Sequence, residues 1–244
     1  MLKDKIAFVT GGSGDVGEAI VKVLARENCK VAFSYNNGQH KAETLQENLR
    51  SSGFDVKSYC LDVTDAKAST ELAKQIEEEL GSVDILVNNA GIAQVMPFAM
   101  IEEKDWDELM DVNVKGMFLV TKAFARSMIR RKVGSIVNMG SLAGMRMLEV
   151  PVHYAAAKSA VVGFTMALAR ELGRYNIRVN AVAPGMLQGG VSTNIPAKQQ
   201  EQYKSHCALS RAGSCEEVAE LVAFLVSDRS SYINAQSILV DGGI

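Results

Sequence analysis

The stretch that decides the fold is KIAFVTGGSGDVG, residues 5–17, close to the start of the chain. Its first half is a short apolar run that predicts a buried strand, and its second half is rich in glycine. Apolar residues at helical spacing follow, among them Ile20 and Val23. Strand, glycine turn and helix in this order favour phosphate binding, because glycines let the backbone approach a pyrophosphate and the helix start offers N–H groups.

The same alternation of strands and helices continues along the chain. Strands are predicted at residues 5–10, 30–35, 56–61, 83–88, 135–139, 177–183 and 237–240. Helices are predicted after the glycine turn and at about residues 40–52, 66–80, 102–130, 154–174 and 215–227, with a polar, irregular stretch at about 186–209. This order predicts an α/β fold: one Rossmann-like domain, residues 1–244, with a doubly wound parallel sheet of about seven strands and helices on both faces.

Composition narrows the class of protein. Of the 244 residues, 48% are apolar and 22% charged, which is ordinary for a globular protein. The net charge of −2 gives no sign of a nucleic-acid-binding surface. No uncharged apolar run of about 18 residues is present to span a membrane. The first residues lead straight into a predicted strand and leave no room for a signal peptide, so we expect a cytoplasmic protein.

The four cysteines are scattered and do not form a metal-binding pattern. They show no C-x-x-C spacing and no neighbouring histidine cluster, so reduced thiols are expected and no metal site is predicted. The cysteines are Cys29, Cys60, Cys207 and Cys215.

A second informative stretch runs from Ser141 to Lys158. Tyr154 and Lys158 are four residues apart in a helix-favouring alanine context, so both side chains should project from one face. A neighbouring cation lowers the pKa of a phenol, which makes it a better proton donor near neutral pH. Ser141 follows a predicted strand, and open α/β sheets bind their ligands at that end of their strands.

Six motifs in order make this sequence resemble the classical short-chain dehydrogenase/reductase family. In chain order they are the turn Thr10–Gly17, the pair Asp62 and Val63, the run Asn88-Asn89-Ala90-Gly91, Asn113, the set Ser141, Tyr154 and Lys158, and the pair Pro184 and Gly185. The overall pattern is most similar to 3-oxoacyl-[acyl-carrier-protein] reductases and polyketide ketoreductases, which implies a role in fatty acid or polyketide biosynthesis.

The resemblance implies roles for four residues. Tyr154 would protonate the substrate oxygen as a nicotinamide supplies hydride, and Lys158 would lower the pKa of that phenol and hold the nicotinamide ribose. Ser141 would donate a hydrogen bond to the substrate carbonyl. Asn113 would kink its helix and hold a water that passes protons to Lys158. A helix-surface amide remains the alternative for Asn113, and a helix cap the alternative for Ser141.

The resemblance also implies a dinucleotide site. Its expected residues are Gly11, Ser13, Gly14, Asp15, Val16, Gly17, Tyr35, Asn36, Asp62, Val63, Asn89, Ala90, Gly91, Tyr154, Lys158, Pro184, Gly185 and Leu187. NADPH is expected rather than NADH, because Tyr35-Asn36-Asn37 after the second strand lacks the carboxylate that would repel a 2′-phosphate. Lys41 lies just beyond, either near that phosphate or as a solvated charge.

Two positions depart from the family pattern. Asp15 replaces the middle glycine of the turn, and we expect it to cap the following helix and turn outward. The threonine that the family often places after Pro-Gly is missing from the expected substrate lid, residues 186–209, where main-chain groups or Thr193 would substitute.

Three functions remain open from the sequence. The first is NADPH-dependent reduction of a 3-oxoacyl thioester bound to a carrier protein, which would dock on the basic residues Arg130, Arg131 and Arg174. The second is oxidation of another small alcohol, sugar or steroid. The third, supported only by Asp15, is a cofactor-poor structural subunit of a reductase complex. By resemblance we expect a homotetramer; charges that merely complement helix dipoles are the alternative to docking.

Overall fold

The computed structural model describes residues 2–190, 192 and 195–244. Its centre is a seven-stranded parallel sheet in the order β3-β2-β1-β4-β5-β6-β7. The strands are β1 Ile6–Val9, β2 Lys30–Tyr35, β3 Val56–Cys60, β4 Ile85–Asn88, β5 Gly134–Met139, β6 Ile177–Pro184 and β7 Ser237–Val240. The doubly wound α/β sheet predicted from the sequence is thereby confirmed, and β4 begins two residues later than expected.

Helices cover both faces of this sheet. They are α1 Asp15–Arg26, α2 Gln39–Ser51, α3 Ala66–Glu79, α4 Glu103–Met110, α5 Met117–Arg131, α6 Val152–Leu172, α7 Ala197–His206 and α8 Cys215–Val226. A π-helical segment, Asp111–Gly116, joins α4 to α5. Buried residues of α1, α2 and α8 lie in one apolar cluster, and those of α3, α5 and α6 lie in another.

The strands contribute residues to both clusters, because successive side chains of a strand point to opposite faces of the sheet. In β1, Ala7 and Val9 belong to the cluster with α1, while Phe8 belongs to the other cluster. Phe8 stacks on Phe124 of α5 with ring centroids 4.6 Å apart. Continuous apolar runs, rather than alternating ones, are what a sheet buried on both faces requires.

The predicted irregular stretch at 186–209 was partly wrong, because it contains α7. This helix is AKQQEQYKSH and has no fully buried residue, so it lacks the apolar periodicity by which a helix is predicted from sequence. Thr193, the expected substitute for the missing threonine, lies outside the described residues.

Within the part of the chain that the structure describes, one segment, Val152–Tyr175, is long and apolar enough to cross a membrane by length and composition alone. It contains α6, whose residues Val161, Thr165 and Ala169 are buried inside the protein. Core helices of globular proteins pass the same test, so this segment is weak support for a membrane span.

Candidate active site

The carboxyl ends of the parallel strands bring the predicted site residues to one edge of the sheet. The glycine turn follows β1, Asn89 follows β4, Ser141 follows β5 and Gly185 follows β6. The sheet order reverses between β1 and β4, because β1 is paired with β2 on its other side. Such a reversal leaves a crevice at the strand ends, which is where ligands bind in open α/β sheets.

The glycines of the turn are required by close packing. Gly11 has φ +63, and a side chain there would come 3.0 Å from the Ala90 Cα atom. A Cβ atom at Gly12 would overlap the Phe33 ring, and one at Gly17 would lie 2.8 Å from Asn89 Nδ2. Gly14 is different, since its nearest neighbour would be a backbone oxygen at 3.5 Å.

The segment after β4 is tied to this turn. The Thr10 hydroxyl accepts hydrogen bonds from the backbone N–H groups of Asn89 and Ala90, at 3.0 and 2.9 Å. The Asn89 side-chain amide donates to the carbonyls of Thr10 and Gly11, both at 3.0 Å. Asn89 and Ala90 therefore hold the turn in shape.

Asp15 does not cap α1, contrary to the expectation. The cap position is Gly14, and Asp15 is the first helical residue. Its carboxylate turns outward, as expected, and accepts hydrogen bonds from the Gly190 N–H at 2.7 Å and Lys41 Nζ at 3.0 Å. These contacts, that of Gly190 first, lower the pKa of the carboxyl, so it is ionised at neutral pH. Its charge is balanced by Lys41, which is therefore more than a solvated charge.

The remaining expected nucleotide residues differ in how far they face the crevice. Asp62 is exposed after β3 and accepts from the Thr64 N–H and hydroxyl, whereas Val63 is buried against Gly116. Leu187 is 7% exposed and belongs to the core, so only its backbone is available. The other expected residues are half-buried or exposed, namely Ser13, Val16, Tyr35, Asn36, Pro184 and Gly185.

Ser141 and Tyr154 are brought together. Ser141 lies beyond β5, and its Oγ accepts a hydrogen bond from the Ala143 N–H at 3.2 Å, so the predicted cap interaction is present. The same hydroxyl is near enough to the Tyr154 phenol to act on its pKa. Burial raises the pKa of Tyr154, and the Ser141 hydroxyl opposes that rise.

Lys158 lies on the same side of α6 as Tyr154, as the four-residue spacing predicted. Its Nζ is 5.7 Å from the Tyr154 ring centroid and donates to the Met139 carbonyl at 2.9 Å. Burial lowers the pKa of Lys158 to about 8. The expected lowering of the tyrosine pKa by this cation is not found, because burial dominates at Tyr154 and only Ser141 opposes it.

Asn113 is buried within the π-helical segment, so the alternative of a helix-surface amide was wrong. Its Nδ2 donates to the carbonyls of Ile92 and Leu109 at 2.9 and 3.0 Å, and its Oδ1 accepts from the Ile92 N–H at 3.3 Å. The bond to Leu109, four residues earlier, accompanies the local π geometry. A Cβ atom at Gly91 would lie 2.5 Å from Asn113 Oδ1 and 3.6 Å from Lys158 Nζ, so Gly91 runs beside both groups.

These residues fit a dinucleotide. Among the described residues no side chain caps α1 at Gly14, so the first N–H groups of that helix are available to a pyrophosphate. The glycines let the backbone of the turn approach a pyrophosphate closely. The Asp15 carboxylate is directed toward Gly190 and Lys41. Beside this turn lie the hydroxyl of Ser141, the phenol of Tyr154 and the ammonium of Lys158. These are groups that can stabilise and protonate a substrate carbonyl.

Comparison with known proteins agrees with this geometry. A family model described as enoyl-(acyl carrier protein) reductase matches residues 12–244. The 3-oxoacyl-[acyl-carrier-protein] reductase FabG of Thermotoga maritima is 37% identical, with 100% of this chain and 98% of that protein covered. A solved structure of a Serratia marcescens short-chain dehydrogenase/reductase mutant matches with a TM-score of 0.92 and 35% identity, covering 99% of this chain and 98% of that one. The chain belongs to the short-chain dehydrogenase/reductase family.

A second solved structure is similar over the whole chain. The 3-oxoacyl-[acyl-carrier protein] reductase from Brucella melitensis matches with a TM-score of 0.92 and 31% identity, covering 100% of this chain and 92% of that one. Membership of the short-chain dehydrogenase/reductase family makes this protein an NAD(P)-dependent oxidoreductase of the ketoreductase type. The alternative of a cofactor-poor structural subunit was wrong, and its one support, Asp15, points away from the turn.

The basic residues proposed for docking lie at the opposite edge of the sheet from Ser141. Arg130 and Arg131 end α5 just before β5 begins, and Arg174 precedes β6. Arg131 is also occupied, because it pairs with Asp84 at 2.8 Å and donates to the Val83 carbonyl. Arg130, with its side chain 72% exposed, and Arg174 are the more available cations.

Two positioning residues were missed at the sequence level. Tyr203 of α7 accepts from the Met186 N–H at 3.1 Å and donates to the Asp241 carbonyl at 3.4 Å, which holds the segment after Gly185. Gln94 contacts His153, the residue next to Tyr154. Neither Tyr203 nor Gln94 lies in a motif, so no sequence signal would have found them.

Proposed function

We propose that this protein reduces a 3-oxoacyl thioester, carried by an acyl carrier protein, to the 3-hydroxyacyl thioester with NADPH. The observation that carries the proposal is the grouping of Ser141, Tyr154 and Lys158 at the edge of the sheet where the glycine turn lies, with Lys158 Nζ 5.7 Å from the Tyr154 ring centroid. The names of the Thermotoga maritima and Brucella melitensis relatives support this substrate class.

In the proposed reaction each side chain has one task. A dinucleotide held at the glycine turn would supply hydride to the carbonyl carbon. Ser141 donates a hydrogen bond to the carbonyl oxygen, and Tyr154 transfers its proton to that oxygen as negative charge develops there. Lys158 stays largely protonated at neutral pH despite burial, and Asn113 holds the adjoining backbone at Ile92. A water beside Asn113 would return a proton through Lys158 to Tyr154.

Preference for NADPH is supported by the segment after β2. Tyr35, Asn36 and Asn37 offer no carboxylate to repel a 2′-phosphate. Lys41, which pairs with Asp15, would exchange that partner for the phosphate. Titration of intrinsic fluorescence should give a dissociation constant for NADPH at least about tenfold below that for NADH, since a charge-assisted contact is worth roughly that factor. Equal constants would contradict the preference.

Docking of an acidic carrier protein on Arg130 and Arg174 requires a second subunit. β5 alone spans about 20 Å, at roughly 3.3 Å per residue, between the edge with these arginines and the edge with Ser141. We propose that in a homotetramer these cations of one subunit serve the crevice of a neighbour. We also propose that residues 1–244 act as one catalytic domain, with residues 186–209 as its lid, in the cytoplasm.

The substrate class is tested by absorbance at 340 nm. Consumption of NADPH with an acetoacetyl thioester is the expected result. Turnover restricted to other alcohols, sugars or steroids would favour the second function, which the same three side chains would serve. The assay should include both nucleotides, because the coenzyme and the substrate are separate parts of the proposal.

The role of the phenol is tested by Tyr154→Phe. Loss of a general acid costs about 10²–10⁴-fold in rate, so kcat should fall at least about 100-fold while the NADPH dissociation constant changes little. The matched control is Tyr232→Phe, because Tyr232 is fully exposed. If Tyr154→Phe reduced the ketone as fast as the parent, the proposed chemistry would be wrong.

A further inference from the structure

His153, the neighbour of Tyr154, is fully buried although the proposed chemistry gives it no task. It is the second residue of α6. Its Nε2 lies 3.2 Å from Gln94 Oε1, and its Nδ1 is buried with no hydrogen-bond partner among the described residues. A buried polar atom without a partner costs free energy, so the position of this ring calls for a compensating benefit.

The orientation of the Gln94 amide determines which ring nitrogen carries the proton. The Gln94 Nε2 donates to Glu108 Oε2 of α4 at 3.4 Å, which leaves Oε1 facing the histidine. An oxygen accepts, so His153 Nε2 carries the hydrogen and donates it. Burial lowers the pKa of His153, opposed by the charge of Asp105, so the ring is neutral near pH 7.

Gln94 belongs to the loop that runs past the catalytic groups. We call residues 91–97 the β4 loop. At its start Gly91 passes beside Asn113 Oδ1 and Lys158 Nζ. The next residue, Ile92, is held at both its N–H and its carbonyl by Asn113. Gln94 is a second attachment point, because its side chain links α4 to α6 through Glu108 and His153.

We infer that His153 is a positioning residue, which through its hydrogen bond to Gln94 fixes the β4 loop against the helix that carries Tyr154 and Lys158. Ile92 ties the loop to Asn113, and Gln94 ties it to the residue next to Tyr154. Together the two attachments set the distance between the Asn113 amide and the Tyr154 phenol. Without the His153 contact, the described hydrogen bonds would hold the loop only to Asn113 and, through Gln94, to Glu108 of α4, and none would hold it to the helix of Tyr154.

The test is a double-mutant cycle of His153→Leu and Gln94→Ala, with His153→Gln as the conservative variant. A glutamine amide nitrogen can donate to Gln94 as the imidazole Nε2 does. The kinetic arm of this test rests on the proposed reductase function. A second arm, hydrogen exchange of the backbone amides in the β4 loop, needs no turnover and is measured on the same full-length proteins.

We expect kcat to fall about tenfold in each single variant, because one hydrogen bond that positions reacting groups is worth roughly that factor. The double variant should be no more than about twofold worse than Gln94→Ala, since both changes remove the His153 contact and Gln94→Ala also removes the bond to Glu108. His153→Gln should stay within about threefold of the parent. The NADPH dissociation constant should change less than about twofold, because the glycine turn is untouched.

Exchange in the β4 loop should rise in His153→Leu and Gln94→Ala and stay near the parent's in His153→Gln. The matched control is Gln75→Ala, which removes another amide-to-carboxylate bond, to Glu79 on exposed α3, and should change neither readout. If His153→Leu fails to fold, Gln94→Ala and His153→Gln still decide the matter.

Two results would overturn the inference. Losses that multiply in the double variant would show that the two residues act independently, and a His153→Gln protein as impaired as His153→Leu would assign the effect to packing. Failure of the proposed function looks different, because the parent would then leave acetoacetyl thioester unreduced while the exchange pattern still reports on His153 and Gln94.

Discussion

Lys158 places a charge inside the protein where no carboxylate compensates it among the described contacts. Its Nζ is held by one backbone carbonyl, that of Met139, and burial lowers its pKa from 10.5 to about 8. A group with so depressed a pKa destabilises the fold in its charged form. The protein tolerates this cost at the residue that lies beside the proposed proton donor, which is typical of a functional site.

This residue should make stability depend on pH in a definite window. Between about pH 8 and 10.5 the unfolded chain binds a proton at Lys158 that the folded chain lacks, so stability rises with pH there. Below about pH 8 both states are protonated and the burial cost is constant. Relative to the parent, Lys158→Met should therefore be most stable near pH 7 and lose that advantage as pH rises to 10.5.

Urea midpoints at several pH values measure the difference in stability between the parent and Lys158→Met. The contributions of other titrating groups cancel in this difference, because both proteins contain them. The matched control is Lys67→Met, because the Lys67 side chain is 85% exposed and its removal should shift all midpoints equally. A Lys158→Met difference that stayed constant from pH 7 to 10.5 would contradict the assigned pKa.

At the scale of elements, the turn between β1 and α1 distinguishes glycines by their packing. Gly17 lies against the turn backbone and Asn89, whereas Gly14 at the helix cap faces open space apart from one backbone oxygen. Their role follows from what a side chain would meet, since neither has a positive φ. The close approach at Gly17 lets α1 begin next to β1 and Asn89.

Gly17→Ala should therefore disturb the turn, and Gly14→Ala should not. We expect Gly17→Ala to weaken NADPH binding at least about tenfold and to lower stability by about 1–3 kcal/mol, the usual cost of overpacking. Gly14→Ala, its matched control, should stay within about 0.5 kcal/mol of the parent. Calorimetric binding and urea unfolding measure both effects, and equal behaviour of the two variants would refute the packing argument.

At the scale of the whole molecule, the crevice and the basic residues occupy opposite edges of the sheet. Parallel strands with connecting helices put every helix C-terminus at the edge where the next strand begins. This topology alone places Arg130 and Arg174 at that edge, whether or not they also contact a partner. Only an assembly could place them near an active site, so docking and oligomerisation are one hypothesis.

Changing Arg130 and Arg174 to Glu should raise KM for a carrier-protein substrate at least about tenfold, because charge reversal opposes an acidic partner. KM for a small acetoacetyl thioester and the sedimentation coefficient should be unchanged. Lys74→Glu, an exposed reversal on α3, is the control. Equal effects on both substrates would remove the docking idea, and a monomer in sedimentation would remove the route by which docking serves catalysis.

The sequence by itself determined the fold class and the seven strands, and it predicted the candidate site residues that lie at one edge of the sheet. It could do so because apolar runs, glycine turns and catalytic side chains obey local rules of spacing, and parallel strands send all their carboxyl ends to one edge. It missed α7, which is too polar to show a periodicity.

Only the tertiary structure decided what surrounds each charge and each amide. The pairing of Asp15 with Lys41 and Gly190, the carbonyl under Lys158 and the contact of His153 with Gln94 join residues far apart in sequence. Burial and long-range partners set a pKa and a hydrogen-bond direction, and neither is encoded in the spacing of neighbouring residues.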